Sequence, residues 1–300
     1  MRRPGWILFL ICLSNSYVAH ADLTVTFCSG DATRDTYTSE LIKLALEKTR
    51  AAHGEYKLKI ASSLPHKRRV AVLQQNTFEN AFTSFGYDEQ WETSGSLTYV
   101  DFPVDLGILG WRICFTNKNI KEKLKLANTL ADFRQFSIVQ GVAWSDNVIL
   151  RENGFHVIEL DPYTSLFKMV ASGRADLFCR GINELPNEYK AYRSIGNLTY
   201  DESFLLAYKM PLFLYTNKAN SIAKQRLEEG LKIAYEDGSI KHLWLEKYKD
   251  SIEFSKIKQR KIIHLKNSTI DKAPKSYEKY LIDPATLAES QSKEVKQREQ

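Results

Sequence analysis

The chain has 300 residues, of which 43% are hydrophobic and 26% are charged, and its formal net charge is +6 at pH 7. A chain of this length buries a sizeable core and usually divides into two domains. The small positive charge argues against a nucleic-acid-binding protein and against strong binding to membrane surfaces.

The first 21 residues have the pattern of a secretory signal peptide. Arg2 and Arg3 are basic, residues 6–13 form an apolar core, and residues 19–21 are the small-x-small sequence Ala-His-Ala. A membrane-spanning helix needs roughly 20 apolar residues, and this run is much shorter. We therefore predict cleavage before Asp22 and export of the mature chain.

The next part of the chain follows a β-α-β-α-β order. Alternating apolar and polar residues predict strands over 23–28 and 56–60, and an apolar run predicts a third strand over 78–85. Between them, apolar residues at helical spacing predict helices over 36–52 and 65–75. This order is typical of an α/β domain.

The β-α-β order starts again after an apolar segment, 103–115. Two strand-like runs and two helices follow this second unit and extend to Tyr248, so the predicted fold class is α/β with a helical C-terminal part. The second unit and the elements after it are predicted at 136–140 (strand), 145–153 (helix), 155–160 (strand), 161–172 (helix), 175–179 (strand), 204–208 and 211–216 (strands), and 220–235 (helix).

The stretch 161–184 is a complete helix-to-strand unit that ends in charged residues. Its predicted strand, 175–179, is followed directly by Arg180, Asn183 and Glu184. In open α/β sheets, ligands bind beyond the carboxyl ends of the strands. We therefore expect these three side chains to contact a ligand.

Side chains at other strand ends and turns extend this candidate site. A polar turn follows the first strand, a polar residue follows the third, and a glycine turn precedes the helix at 145, where backbone N–H groups favour an anion. Ser145 is alternatively a helix cap and Trp144 a core residue. The additional ligand-binding candidates are Ser29, Asp31, Tyr37, Ser84, Phe85, Trp111, Gly141, Trp144 and Ser145.

Arginine is the side chain best suited to an anionic ligand. Arg180 offers a planar fork that can bind a carboxylate or a phosphate through two hydrogen bonds. The alternative is an internal salt bridge from Arg180 to Glu184 or Asp176. The basic run 66–69, His-Lys-Arg-Arg, is interpreted as a solvated helix face in preference to an anion site.

Three cysteines follow the signal peptide: Cys28, Cys114 and Cys179. Each lies in an apolar run without C-x-x-C spacing, so we predict no metal site and interpret all three as small buried hydrophobic residues. A Cys28–Cys114 disulfide requires neighbouring strands. The chain has no nucleophile elbow, Walker loop, zinc-protease motif or dinucleotide-binding motif, and we expect no cofactor.

Three segments carry a family resemblance. They read SLFKMVASGRADLFCRGINE from residue 165, RLEEGLKIAYEDGSIKHLWLEKYKD from residue 226 and QRKIIHLKNSTIDKAP from residue 259. With the element order, they resemble the type II periplasmic solute-binding proteins, and among them a bacterial branch similar to amino-acid ABC transporter binding proteins. The resemblance implies a periplasmic-binding-protein-like fold of two lobes, each a mixed sheet flanked by helices, that close on a small solute about hinge strands.

The resemblance also implies where the chain passes between the lobes. The crossing segments are expected at 107–115 and 212–217, where Gly107 and Gly110 either absorb backbone rotation or allow close packing. The implied division is 22–111 and 217–284 for lobe 1, 112–216 for lobe 2, and 285–300 for a polar tail that we expect to be disordered.

The resemblance bears on the solute as well. Relatives that bind amino acids hold the carboxylate with an arginine shortly after the third strand of lobe 1, and the amino group with an acid near Gly181. This chain has no arginine over 85–91 and has Arg180 at the second position. A small polar or anionic solute is therefore expected in place of a plain amino acid.

The function implied by the resemblance is that of a monomeric periplasmic protein that presents its solute to a membrane transporter, without catalysis and without a nucleic-acid partner. One alternative is a sensory ligand-binding protein for a membrane receptor. Another is a dehydratase-like enzyme on the same fold, with Glu184 or Asp31 as general acid or base.

Overall fold

A computed structural model describes residues 22–30, 35–61, 63–93 and 95–287. The predicted signal peptide, Asp31 and residues 288–300 of the tail lie outside these ranges. Within them, no helix combines the length and the apolar character that crossing a bilayer requires.

The elements alternate between strands and helices along most of the chain. The strands are β1 (Leu23–Cys28), β2 (Tyr56–Ala61), β3 (Ala81–Gly86), β4 (Leu97–Tyr99), β5 (Trp111–Asn117), β6 (Ile138–Gly141), β7 (Val157–Leu160), β8 (Phe178–Gly181), β9 (Leu198–Tyr200), β10 (Phe204–Ala207), β11 (Leu212–Asn217) and β12 (Lys261–His264). The α-helices are α1 (Thr36–Lys48), α2 (Arg50–His53), α3 (His66–Gln74), α4 (Glu89–Thr93), α5 (Lys118–Leu124), α6 (Leu130–Phe133), α7 (Asp146–Glu152), α8 (Tyr163–Ala171), α9 (Leu185–Tyr192), α10 (Ser221–Glu236) and α11 (Ser239–Ser255).

These strands form two main sheets, and each sheet is the centre of one lobe. The lobe 1 sheet has the order β2-β1-β3-β11-β4, in which β1 is parallel to β2 and β3 and β11 is antiparallel to β3 and β4. The lobe 2 sheet has the order β12-β10-β5-β8, with β9 also paired to β5. The parallel pair β6–β7 continues it next to β8 through a bridge between Ile138 and Leu177. The predicted α/β class with two mixed sheets is therefore confirmed.

The core follows from the apolar faces that the sequence pattern predicts. Strand β1 is buried almost throughout, because helices cover the sheet. Helix α1 buries Leu41, Ile42 and Ala45 and packs against α10. In lobe 2, the Phe115, Phe167 and Phe178 rings form edge-to-face and stacked pairs, so aromatic packing fixes α8 on the sheet.

The chain first passes between the lobes just before β5 and again between β10 and β11. Asp105 joins the two passages, because its carboxylate accepts hydrogen bonds from the backbone N–H groups of Gly107, Leu109 and Leu212. Gly107 has φ +84°, a left-handed conformation that favours glycine. At Gly110 a Cβ would overlap the backbone oxygen of Tyr208, so this glycine allows close packing of the two passages.

In two places the predicted lobe boundaries do not agree with the sheet to which the strands belong. The segment 212–217 is not a crossing, because all of it is β11 in the lobe 1 sheet. The segment 217–284 does not belong wholly to lobe 1, because β12 pairs in parallel with β10 of lobe 2. After β12 the chain returns to lobe 1, where the Ile282 N–H group donates to the Leu106 oxygen. Within residues 22–287, as far as the structure describes them, the chain thus passes between the lobes four times.

The predicted disorder of the tail is not seen at its first residues. A helical turn covers 284–287, and the carboxylate of Asp283 accepts a hydrogen bond from the Ala285 N–H group. A side-chain cap of this kind stabilises the start of a helical turn. The rest of the tail lies outside the described ranges.

Two of the three cysteines form a disulfide. Cys114 and Cys179 face each other across the antiparallel pair β5–β8 and are bonded, whereas Cys28 is free and buried. The interpretation of all three as unpaired hydrophobic residues is therefore wrong for two of them, and β1 is not a neighbour of β5. Only the register of β5 against β8, which depends on tertiary structure, brings these two sulfur atoms together.

Candidate functional site

A cleft between the two lobes encloses about 520 Å³. Lobe 1 contributes the ends of β1 and β3 and the start of α1, lobe 2 contributes the end of β8 and the turn before α7, and the middle of α11 closes one side. Pockets of roughly 300–1,000 Å³ hold small molecules. The cleft is therefore large enough for a small organic solute.

The wall of the cleft in lobe 1 carries Arg69, on the inner face of α3. Its Nη1 donates to Thr83 Oγ1 at 3.0 Å, and its guanidinium lies 4.6 Å from the centre of the Phe85 ring. Thr83 is fully buried and donates in turn to the Cys28 oxygen, so the partner of Arg69 is itself fixed. Arg69 also lies against Gly30, where a Cβ would be 2.9 Å from its guanidinium carbon. This arrangement orients a half-buried positive charge toward the cleft.

His66 lies one helical turn before Arg69 and lines the same wall. Its ring is 4.7 Å from the Phe85 ring and 6.4 Å from the Trp91 ring. Burial, with a smaller contribution from the charge of Arg69, lowers the pKa of His66 from 6.5 to about 4. His66 is therefore neutral at pH 7, and the positive charge on this wall comes from Arg69.

The low pKa of His66 predicts a pH-dependent stability. Between pH 6.5 and 4 the unfolded chain binds a proton at this histidine that the folded chain does not bind, so the free energy of unfolding falls as the pH falls through this window. Because the ring is partly exposed, we expect His66 to contribute only about 1–2 kcal/mol. Urea unfolding at pH 7 and pH 4.5 measures the change, and His66→Gln should reduce it. An equal change in both proteins would contradict the assignment.

Arg180 lies on the lobe 2 wall of the cleft, where it forms ion pairs with two glutamates. It is 3% exposed and donates to Glu184 Oε1 at 2.5 Å and to Glu188 Oε2 at 2.9 Å. Its guanidinium also lies 4.9 Å from the centre of the Trp144 ring. Burial alone would lower the pKa of Arg180, but the charges of Glu184 and Glu188 raise it well above its usual value. The predicted alternative, a salt bridge to Glu184, is thus present.

A second buried arginine connects the cleft to the chain passages. Arg112 Nη2 lies 2.6 Å from Asp146 Oδ1, its Nε donates to the Tyr208 hydroxyl at 3.0 Å, and its Nη1 is 3.4 Å from Glu184 Oε2. Arg112 is 1% exposed and Asp146 is 3% exposed. These contacts fix the start of α7 and the end of β8 relative to the first residues of β5.

Tyr37 supplies a polar atom without a hydrogen-bond partner. Its side chain is 2% exposed and lines the cleft near the start of α1, and its hydroxyl contacts no donor or acceptor among the described residues. The ring packs 5.0 Å from the Tyr248 ring of α11. Buried polar groups are normally paired, so this hydroxyl is suited to bind a polar group of a solute.

Eight of the predicted site residues line the cleft: Tyr37, Ser84, Phe85, Trp144, Ser145, Arg180, Asn183 and Glu184. Ser29 does not, because it is 1% exposed and its hydroxyl donates to Asp35. Gly141 is covered by the ring of Trp144, and Trp111 lines a different cavity beside the chain passages. Asp31 lies outside the described residues.

The sequence analysis missed Arg69 as a site residue, and it placed Arg180 beyond a strand. Lys67 and Arg68 are exposed as expected, whereas His66 and Arg69, three residues apart on one helix face, line the cleft. Helical spacing was the signal that could have separated these two pairs. Arg180 lies inside β8, opposite Ile113, because the strand covers 178–181 instead of 175–179.

The chain resembles known proteins in its fold and not detectably in its sequence. No protein-family model matches the chain, and no curated protein matches it significantly in sequence. Among solved structures, the "probable amino-acid ABC transporter extracellular-binding protein ytmK" from Bacillus subtilis matches with a TM-score of 0.56 and 14% identity, over 76% of this chain and 99% of that one.

Two further structures illustrate the range of the matches. An ancestral arginine-binding protein bound to arginine has a TM-score of 0.53 and 13% identity, over 76% of this chain and 98% of that one. A histidine kinase sensor domain similar to periplasmic binding proteins has a TM-score of 0.52 and 12% identity, over 76% and 96%. The chain therefore has the fold of type II solute-binding proteins, as predicted.

Proposed function

We propose that this chain, which has the type II solute-binding fold, is a periplasmic protein that binds a small polar or anionic solute between its lobes and presents it to a membrane transporter. The observation that carries the proposal is the 520 Å³ cleft, lined by polar and charged side chains of both lobes. Most of a solute in such a space would be removed from water, which is the geometry of a binding site for a small molecule.

Within this proposal, the anionic group of the solute lies at Arg69 and not at Arg180. Two carboxylates already bind Arg180 at hydrogen-bond distance, so an incoming anion would meet their negative charge. Arg69 is half-buried on the opposite wall, near the N-terminal end of the 13-residue helix α1. The residue before α1 is Asp35, whose carboxylate accepts hydrogen bonds from Ser29 and Gly30, so the positive charge offered to the anion is that of the guanidinium.

We propose binding without catalysis. Glu184, the candidate general acid or base, accepts hydrogen bonds from Arg180, from Arg112 and from the Gly181 N–H group. A carboxylate whose oxygens are already bound by two arginines and a backbone N–H group is poorly placed to exchange a proton with a substrate. The match to a sensor domain supports a second candidate function, that of a ligand-binding protein whose membrane partner is a receptor instead of a transporter.

The proposal is tested by thermal shift and calorimetry on the chain from Asp22 to Gln300, with a panel of dicarboxylates, phosphorylated compounds, amino acids, sugars and peptides. A solute at one hundred times its Kd should stabilise the protein by about 2.7 kcal/mol. A charged hydrogen bond is worth about 1.5–3 kcal/mol, so Arg69→Gln should weaken binding roughly 10- to 100-fold.

The exposed neighbour Arg68 is the matched control for this experiment, since it lies on the same helix but outside the cleft. Arg68→Gln should bind the solute like wild type. If Arg69→Gln binds as tightly as Arg68→Gln, the anion does not lie at Arg69. If a bound compound is converted to a product, the proposal of binding without catalysis is wrong.

A further inference from the structure

Helix α11 contacts both lobes. In its first half, the fully buried Trp244 donates through Nε1 to the Asp105 oxygen at 3.0 Å, and at its middle the Tyr248 ring packs on Tyr37 of lobe 1. Near its end, the Phe254 ring lies 5.4 Å from the Tyr200 ring of β9 in lobe 2. The helix packs against α1 and α10 on one side and α9 on the other. A single helix thus spans the cleft at one side.

The C-terminal end of α11 is fixed to lobe 2 by one buried side chain. Arg260 is 7% exposed, and its Nε donates to the oxygen of Ser255, the last residue of α11, at 2.5 Å. Its Nη1 donates to the oxygens of Asp201 and Phe204 in lobe 2, at 2.8 and 3.2 Å. One guanidinium therefore joins the helix end to the edge of the lobe 2 sheet through three carbonyl oxygens.

The two lobes also touch each other across the cleft. A Cβ at Gly86, at the end of β3, would lie 2.9 Å from the Ser145 hydroxyl of lobe 2. One hydrophobic cluster contains core residues of both lobes and includes Tyr248 and Ile252 of α11. The lobes are thus in contact in this arrangement, and α11 is part of the core that joins them.

A helix that is packed at both ends limits how the lobes can separate. With 17 residues and a rise of about 1.5 Å per residue, α11 is about 25 Å long, and an intact helix does not stretch. If the lobes open at the cleft, one end of α11 must leave its lobe. The lobe 1 end is held by a large apolar contact, so release is expected at the lobe 2 end, where the Ser255 oxygen binds Arg260 and the Phe254 ring contacts Tyr200.

We propose that α11 and Arg260 form a brace that keeps the two lobes closed in the absence of solute. Arg260 directly precedes β12 and stays with lobe 2, so opening of the cleft requires Arg260 to release the oxygen of Ser255 at the end of the helix, and solute entry depends on that release. The inference concerns the solute-free protein and goes beyond the proposed binding function.

The brace is tested by measuring distances between the lobes without any solute. Spin labels are placed at two exposed positions, Lys43→Cys on α1 and Lys168→Cys on α8, in a Cys28→Ala background. Pulsed electron paramagnetic resonance should then give one narrow distance distribution for the otherwise wild-type protein. Arg260→Gln should add a population at longer distance. A broad distribution before the arginine is changed, or no change in Arg260→Gln, would overturn the proposal.

Arg226 is the matched control for loss of a buried arginine. It is 2% exposed and donates to the oxygens of Gly54, His53 and Glu55, all within lobe 1. Arg226→Gln should leave the distance between the labels unchanged. If it also produces the longer distance, general destabilisation is the cause and the brace is wrong.

A second variant keeps the test decisive if Arg260→Gln does not fold. Phe254→Ala removes only the half-buried ring that contacts Tyr200, and circular dichroism checks that the chain is folded. It should also add the longer distance, and an unchanged distribution would overturn the brace. Because no solute is added, neither result depends on whether the proposed solute or its contact with Arg69 is correct.

Discussion

Replacing both Cys114 and Cys179 by alanine should lower the free energy of unfolding by about 4 kcal/mol. The two residues are 65 positions apart in the sequence, so their bond closes a long loop and restricts the unfolded chain. For a loop of this size the chain-entropy relation gives about 4 kcal/mol at 25 °C. Urea unfolding of the oxidised protein, followed by tryptophan fluorescence, measures the difference.

The remaining cysteine provides the control for this experiment. Cys28 is buried and free, so Cys28→Ala removes one sulfur atom from a core without removing a cross-link. We expect that change to cost about 1 kcal/mol, the usual scale for losing a small buried group. If the double variant unfolds at the same urea concentration as Cys28→Ala, the disulfide contributes nothing to stability.

Replacing Arg112 by methionine should cost about 3–5 kcal/mol, the scale for breaking a buried ion pair by removing one partner. Methionine fills much of the same space, so the loss reflects charge and hydrogen bonding more than volume. The substitution leaves the Asp146 carboxylate and the Tyr208 hydroxyl buried without their guanidinium partner. Urea or thermal unfolding gives the magnitude.

A double-mutant cycle separates this effect from general disruption of the core. Asp146→Asn removes the charge that Arg112 compensates, so the two substitutions together should cost less than the sum of the single costs. Strict additivity would show that the 2.6 Å contact between them has no energetic coupling. The expected coupling is on the order of 1–3 kcal/mol.

The sequence pattern predicted the elements whose periodicity is long or regular. Strand β1 alternates polar and apolar residues, and α10 has apolar residues at helical spacing before Gly238, so both were found near their observed bounds. Strands β4 and β9 have three residues each, too few for a period to be recognised. Strand β12 follows a basic run, and only the free edge of β10 explains why it pairs in lobe 2.

The candidate site was predictable where it depends on strand ends and not where it depends on register. Ser84 and Phe85 lie at the end of β3 and line the cleft, as the strand pattern implied. Arg180 was placed close to the cleft, but its pairing with Glu188 depends on the geometry of α9, which was not predicted. Strand β8 covers 178–181 and not the predicted 175–179, so Arg180 lies within the strand. There it forms ion pairs with Glu184 and Glu188, where a contact with the ligand was expected.

The late position of β12 in the chain has a consequence for folding. Lobe 2 is otherwise built from a continuous part of the chain, but its sheet gains an edge strand only when residues 261–264 are available, more than fifty residues after β10. Until then β10 has an unpaired edge, which can associate with other chains. During synthesis the chain leaves the ribosome N-terminus first, so the lobe 2 sheet is completed almost last. Aggregation is most favoured in the interval before β12 pairs with β10.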